Sequence, residues 1–396
     1  VKLRASSLIC VAAIAAALAT QSVAADKKPE FERKPFTGAY EPQGVDERGL
    51  WMEMDEAERG FRDSPQILHD ERLKTYLSGV LCKTVGFDRC GAARIYVVKD
   101  HRFNASMAPN GLMIVNTGLL ARMHSEAELS TVLGHEFGHF ELRHSLNRFR
   151  ALRKGTDWLA WLGMAGAATG NDMTATQNAI ILGFFSYNRE QEKDADFLGA
   201  AYVRSSPYPL RASAVWKRLA EEDDATREER KLRKLKRATP GATDTHPTGA
   251  QRFAYFSQLE AEIGAQNGDD GQEQFREETS RILPDIFAGL VKGNDFAGAD
   301  YVIRSRGDAL GWDGLLLHTR AELYRLRGNP RDLITARQFY EKAITLPGAP
   351  PESWRGIGLT AMRTGDTENG KVALKEYLAK APTSNDSAAI KMLLEN

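Results

Sequence analysis

The chain has 396 residues, with 53 Lys and Arg balanced by 53 Asp and Glu. A formal net charge of zero excludes a general binder of nucleic acid or anionic membranes, because such partners select a basic excess. The length exceeds one average domain, and 42% hydrophobic with 27% charged residues is ordinary for a globular protein, so two domains are expected.

Lys2 and Arg4 precede an apolar run over residues 8–19 that is too short to span a bilayer. Small residues at Ser22, Val23, Ala24 and Ala25 then suit cleavage after Ala24 or Ala25, so residues 1–25 are expected to be a signal peptide and the mature chain to be exported. In an oxidising compartment the close pair Cys82 and Cys90 predicts a short-loop disulfide. Pro, Gly and charge over residues 26–48 suggest an extended lead-in, followed by a helical pattern over residues 51–85 that includes Ile67, Leu68, Leu73, Leu77 and Leu81. Residues 94–99 read as a strand, and residues 104–120 as a strand pair about the turn Pro109-Asn110-Gly111 with its second strand at residues 112–116.

One helix is expected from Ser125, its N-cap, to Arg150, with Glu126 and Glu128 in the first turn. Residues 157–185 are apolar and Gly-rich but interrupted by Asn171 and Asp172, which predicts two packed helices and no membrane span. A helix over residues 188–204 stops before Pro207. Residues 221–237 read as a solvated charged helix, residues 239–248 as a loop, and the polar Gly-rich stretch 264–271 as the domain boundary. Beyond it the chain is helical and weakly repetitive, with Gly293, Gly328 and Gly365 spaced by 35 and 37 residues. Trp354, Gly358 and Pro382, with Ala321, Tyr324, Ala336, Phe339 and Ala343 in the preceding unit, suit stacked tetratricopeptide-like helix pairs.

His135-Glu136-Phe137-Gly138-His139 is an HExxH motif. Residues four apart share one helix face, so both imidazoles can bind a single zinc ion while Glu136 reaches the attacking water as general base. Leu142 and Ser145 stand where a third ligand of the HExxHxxGxxH type would need Gly and His, so that class is excluded. His144, half a revolution from His135 on a continuous helix, reads as a structural or surface histidine. The third ligand is therefore expected from the second helix, at Glu192, with Asp196 one turn on as hydrogen-bond partner of a liganding imidazole.

This combination resembles the gluzincin family of CAAX prenyl protease 1 and HtpX. The resemblance rests on HExxH, on Arg189, Glu192, Ala195 and Asp196, on Asn104, Ala105, Pro109 and Gly111 followed by Gly118-Leu119-Leu120, and on Thr245-His246-Pro247 with Arg252. It implies one Zn2+ per chain held by His135, His139 and Glu192, with Arg189 and Asp196 in support. His246 has two readings, an oxyanion donor or a fourth zinc ligand that holds the enzyme latent, and the resemblance favours the second. Arg252 is expected to orient the site or the substrate carbonyl. The strand Leu112, Met113, Ile114, Val115 and Asn116 is a candidate for pairing with an extended substrate. With no long apolar helix the chain resembles the periplasmic, repeat-bearing branch, which implies unfolded or misassembled envelope proteins as substrates and outer-membrane assembly machinery as a partner. The expected architecture is α+β, mostly α: a metallopeptidase domain with a small sheet over residues 26–265, then an all-α tetratricopeptide-like domain over residues 275–396. The other functional class is a periplasmic chaperone or assembly scaffold with a largely latent protease.

Overall fold

The computed structural model describes residues 41–154, 187–231, 249–293 and 295–395. The expected signal peptide, most of the lead-in, the helix pair at residues 157–185, the end of the charged run and the loop carrying His246 lie outside the described residues.

Helix α1 (Gly44–Arg62) starts earlier than the pattern suggested, and α2 (Glu71–Val85) is separate from it. Pro65 interrupts the pattern, and Asp70 restarts it by accepting a hydrogen bond from the Leu73 backbone N–H at 2.9 Å. Ile67 and Leu68, read from spacing as helical, instead run beside the first strand: Ile67 bridges Val98, and the Leu68 N–H bonds the Val97 carbonyl at 2.8 Å. Cys82 at the end of α2 is joined by a disulfide to Cys90.

Strands β1 (Arg94–Val98), β2 (Ala105–Met107) and β3 (Leu112–Asn116) form one sheet in the order β1-β3-β2. β2 and β3 make the expected hairpin, with Gly111 at φ +88°, where a Cβ would also strike the Ala92 carbonyl. β1 runs parallel to β3, with Ile95 opposite Met113. Helix α3 (Thr117–Arg122) follows, then α4 (Glu126–Glu141), capped by the Ser125 hydroxyl, which accepts from the Glu128 N–H. Every residue of α4 from Glu126 to Phe140 is buried. It is the central helix of the molecule and carries the HExxH motif.

The expected helix to Arg150 breaks. Arg143 takes φ +56°, and a new helix α5 (His144–Lys154) departs from there. The Arg143 guanidinium donates to Glu47 Oε1 on α1 at 2.7 Å, which holds the break against the body.

Helix α6 (Arg189–Arg204) begins with a full capping box between Asn188 and Gln191. It lies against α4 at very short range because the contact is built from small residues. A Cβ on Gly199 would stand 2.8 Å from the His135 backbone nitrogen, and one on Gly138 would stand 3.1 Å from the Ala195 carbonyl oxygen. Helices α7 (Ala212–Glu229) and α8 (Gly249–Ile263) pack together beside this pair.

The rest is helical: α9 (Gln272–Ser280), α10 (Leu283–Lys292), α11 (Phe296–Leu310), α12 (Gly314–Arg327), α13 (Pro330–Ala343), α14 (Glu352–Arg363), α15 (Thr367–Lys380) and α16 (Ser387–Glu395). Antiparallel pairs α12/α13 and α14/α15 turn at left-handed Gly328 and Gly365 and stack through Ala321, Ala336, Tyr340, Ile357 and Ala373. Gly293, the first of the three spaced glycines, is extended at φ −68°. α9 to α11 are fastened to the sheet-bearing region. Arg72 pairs with Glu278 at 2.8 Å, and the buried Arg306 guanidinium donates to Thr279 Oγ1 and to the Leu120 carbonyl. The stretch expected to be a free boundary is also tied down: Gln266 accepts from the Leu210 N–H, and the Asp270 carbonyl from the Ala127 N–H.

Candidate metal centre

The close approach of α4 and α6 puts Glu192 opposite the two motif histidines. His135, His139 and Glu192 are 3%, 1% and 0% exposed. The two Nε2 atoms are 3.1 Å apart, and each lies 3.5 Å from a different oxygen of Glu192. Donors about 2.0–2.1 Å from a tetrahedral zinc lie about 3.3 Å from one another. The 3.1 Å between the two imidazole nitrogens, and the 3.5 Å from each of them to its nearer Glu192 oxygen, are close to that spacing. Among the described residues this is the only group of three or more potential ligands so placed. A fully buried carboxylate beside two imidazoles is costly unless it is paired or coordinates a cation. Burial also keeps His139 neutral, its pKa lowered to about 3, and a neutral imidazole is the form that binds metal.

Each imidazole is held from behind. Asp196 Oδ1 is 2.8 Å from His135 Nδ1 and accepts its proton, as the one-turn spacing from Glu192 predicts. Burial alone would push Asp196 up. The Arg252 and His135 charges beside it, with hydrogen bonds from His135 and Tyr255, outweigh that and hold it below the usual carboxylate range. Arg252 also lies 3.3 Å from His135 Nδ1, but both groups are donors there, so Asp196 is the partner of each. The guanidinium is buried and stacks on Trp216, 3.7 Å from its ring centroid. Arg252 is thus bonded to Asp196, which fits the first of its two expected roles, orienting the site, over the second, orienting the substrate carbonyl.

His139 Nδ1 meets His144 Nδ1 at 2.8 Å, and Tyr187 stacks on the His139 ring at 3.8 Å with its hydroxyl 2.8 Å from Ser145 Oγ. Neither contact was expected. The break at Arg143 brings His144 back toward the site, whereas a continuous helix would have carried it away.

Glu136 Oε1 stands 4.0 Å from His135 Nε2, beside the cluster and outside the triangle. Burial first, and the Glu192 carboxylate second, push its pKa well above the usual carboxylate range, the direction that suits a general base. A cleft of about 220 Å³ opens beside it, lined by Phe103, Ala105, Val132, Trp216 and Arg252 among others.

Two sequence expectations are corrected here. Arg189 is exposed in the first turn of α6, and among the described residues it bonds to none of His135, His139, Glu192 or Asp196; the space behind His135 is filled by Arg252. The strand Leu112–Asn116 is the central strand, with both edges already paired to β1 and β2, so it has no backbone groups left for a substrate. The outer strand on the cleft side is β2, whose Ala105 lines the cleft. His246 lies outside the described residues.

Residues 68–260 match the model of peptidase family M48. The chain is similar to the mitochondrial metalloendopeptidase OMA1 of Arabidopsis thaliana, 29% identical over 41% of this chain and 31% of that one. It is also similar to the protein of the same name from Schizosaccharomyces pombe, 26% identical over 36% of this chain and 43% of the other. A third relative is a Vibrio cholerae protein provisionally named a beta-barrel assembly-enhancing protease, 27% identical over 41% of this chain and 36% of the other. Each alignment spans less than half the length of the relative it matches. No described helix is long and apolar enough to cross a membrane.

Proposed function

Because residues 68–260 form a peptidase family M48 domain, we propose that this chain is a zinc-dependent endopeptidase that cleaves unfolded or misassembled proteins of the bacterial envelope. The observation that carries the reading is the convergence of His135 Nε2, His139 Nε2 and the Glu192 carboxylate, with Glu136 4.0 Å to one side. These three side chains would hold the zinc ion. When bound, zinc lowers the pKa of a water toward neutrality and polarises a carbonyl. Glu136 takes the proton of the attacking water on its carboxylate and passes it to the leaving amine. The edge of β2 pairs with the main chain of an extended substrate, and main-chain pairing accepts many sequences. The neighbouring cleft, walled by Phe103, Val132 and Trp216, receives one apolar side chain.

Export to the periplasm is part of this reading and is supported by the signal-like residues 1–25. The envelope substrate class is supported by the name of the Vibrio cholerae relative. The assembly in that name also supports a second reading, an assembly scaffold; the latent protease with His246 as latency ligand belongs to that reading as an expectation from the sequence alone.

Cleavage of casein by the purified chain, with and without a chelator, tests the main reading. Glu136→Gln is expected to lower kcat by roughly 10²–10⁴-fold while zinc content stays at one per chain. Cleavage that survives complete zinc removal would sink it. In cells, an effect that persists in Glu136→Gln would favour the scaffold.

A further inference from the structure

His135 and His139 are supported by chemically different groups. Behind His135 stands a carboxylate, Asp196, itself bonded to Arg252 and Tyr255. Behind His139 stands another imidazole, His144, 5% exposed, with Nδ1 facing Nδ1 at 2.8 Å. One proton lies between two ring nitrogens at that distance. On the zinc-peptidase reading His139 must keep Nε2 free of hydrogen, because the lone pair of that atom, which faces His135 Nε2 and Glu192, would bind the ion. Its own proton therefore sits on Nδ1, and His144 Nδ1 must be the acceptor, with the His144 proton on Nε2. Tyr187, stacked at 3.8 Å and 15° to the His139 ring and anchored on Ser145, fixes the ring plane. The backbone break at Arg143 is what makes this geometry available: a helical Arg143 would continue α4 and rotate His144 off the His139 side.

We infer that His144 is a positioning residue of the metal centre: through Nδ1 it accepts the His139 Nδ1–H, locking the tautomer and ring orientation that aim His139 Nε2 at the metal. This rests on the zinc-peptidase reading and adds to it that the second imidazole is backed by a neutral acceptor. A neutral acceptor leaves His139 less electron-rich than His135, so the two ligands are unequal.

The test uses the full chain and zinc affinity, measured by competition with a chelating dye. Asn places its amide oxygen close to where His places Nδ1, whereas Gln places it nearer to Nε2. His144→Phe and His144→Gln are expected to weaken zinc binding roughly 10–100-fold, while His144→Asn stays within about threefold of the parent. The visible spectrum of the cobalt-substituted protein gives a second readout, altered in the Phe and Gln variants and preserved in the Asn variant. Thermal midpoints of the metal-free variants separate this role from a purely structural one, which would move stability and leave affinity alone. The inference is overturned if His144→Phe binds zinc as tightly as the parent. It is equally overturned if the Asn variant is as weak as the Gln variant at equal metal-free stability. Failure of the parent chain itself to bind zinc would instead overturn the peptidase reading.

Discussion

Asp196 and Arg252 are 1% and 5% exposed and face each other at the back of the metal centre. Two buried opposite charges are stable only together. Removing one leaves the other desolvated and uncompensated, at a cost of about 3–5 kcal/mol. Asp196→Asn is therefore expected to lower the unfolding free energy of the metal-free chain by about 3–5 kcal/mol in a urea titration. The double variant Asp196→Asn with Arg252→Met should recover most of that loss; an Asp196→Asn chain that unfolds like the parent would show that the pair is not closed in solution. The role of Asp196 was legible because Glu192 and Asp196 are four residues apart on one helix. Arg252 was named only through the family resemblance, and its pairing with Asp196 was not foreseen, because it comes from α8, a separate helix whose packing leaves no local periodic signal. The stack of Arg252 on Trp216 joins residues 36 positions apart in the sequence, and nothing in either segment announces the other.

At the level of elements, the pairing of α4 with α6 sets the geometry of the metal triangle. Their contact is made by Gly134, Gly138, Ala195 and Gly199, so the backbones approach closely enough for Glu192 to reach both imidazoles. In an exposed helix Gly→Ala gains about 1 kcal/mol of propensity. At Gly199 the added Cβ would meet the His135 backbone nitrogen at 2.8 Å, so the helices must move apart. Overpacking of this kind costs about 1–3 kcal/mol and exceeds the propensity gain. Gly199→Ala is thus expected to be destabilised and also to bind zinc more weakly, because the shift separates Glu192 from the histidines. Equal zinc affinity in parent and variant would show that the spacing is not critical. The HExxH helix, the hairpin and α6 were readable from capping residues, turn residues and apolar period. The end of α4 was not: Arg143 carries no left-handed preference of its own, and its conformation is imposed by the salt bridge to Glu47 and by packing of Leu146 with Leu50 and Met54.

Over the whole molecule, the helical region beyond residue 271 is fastened to the sheet-bearing region through Arg72–Glu278, Arg281–Asp70 and the buried Arg306. Gly271 itself lies against the Glu126 side chain at the start of the HExxH helix. Deleting residues 272–396 would uncover α2 and α3 and is expected to lower the thermal midpoint of what remains, in a melt compared with the full chain. A fragment as stable as the parent would support two independent domains.

Residue identities and their spacing were enough to name the candidates that the structure brings together, His135 and His139 with Glu136 beside them and Glu192 from a second helix, because helical period turns the spacing of the two histidines directly into a shared face. They were also enough for the fold class, since capping, turn and apolar signals are local. What only the tertiary structure decided was everything that depends on which element sits next to which. It made β2 the outer strand in place of Leu112–Asn116, replaced Arg189 by Arg252 behind the metal centre, and returned His144 to His139. Hydrogen-bond partners across separate elements are chosen by packing, and packing is a property of the whole assembled chain that no local window contains.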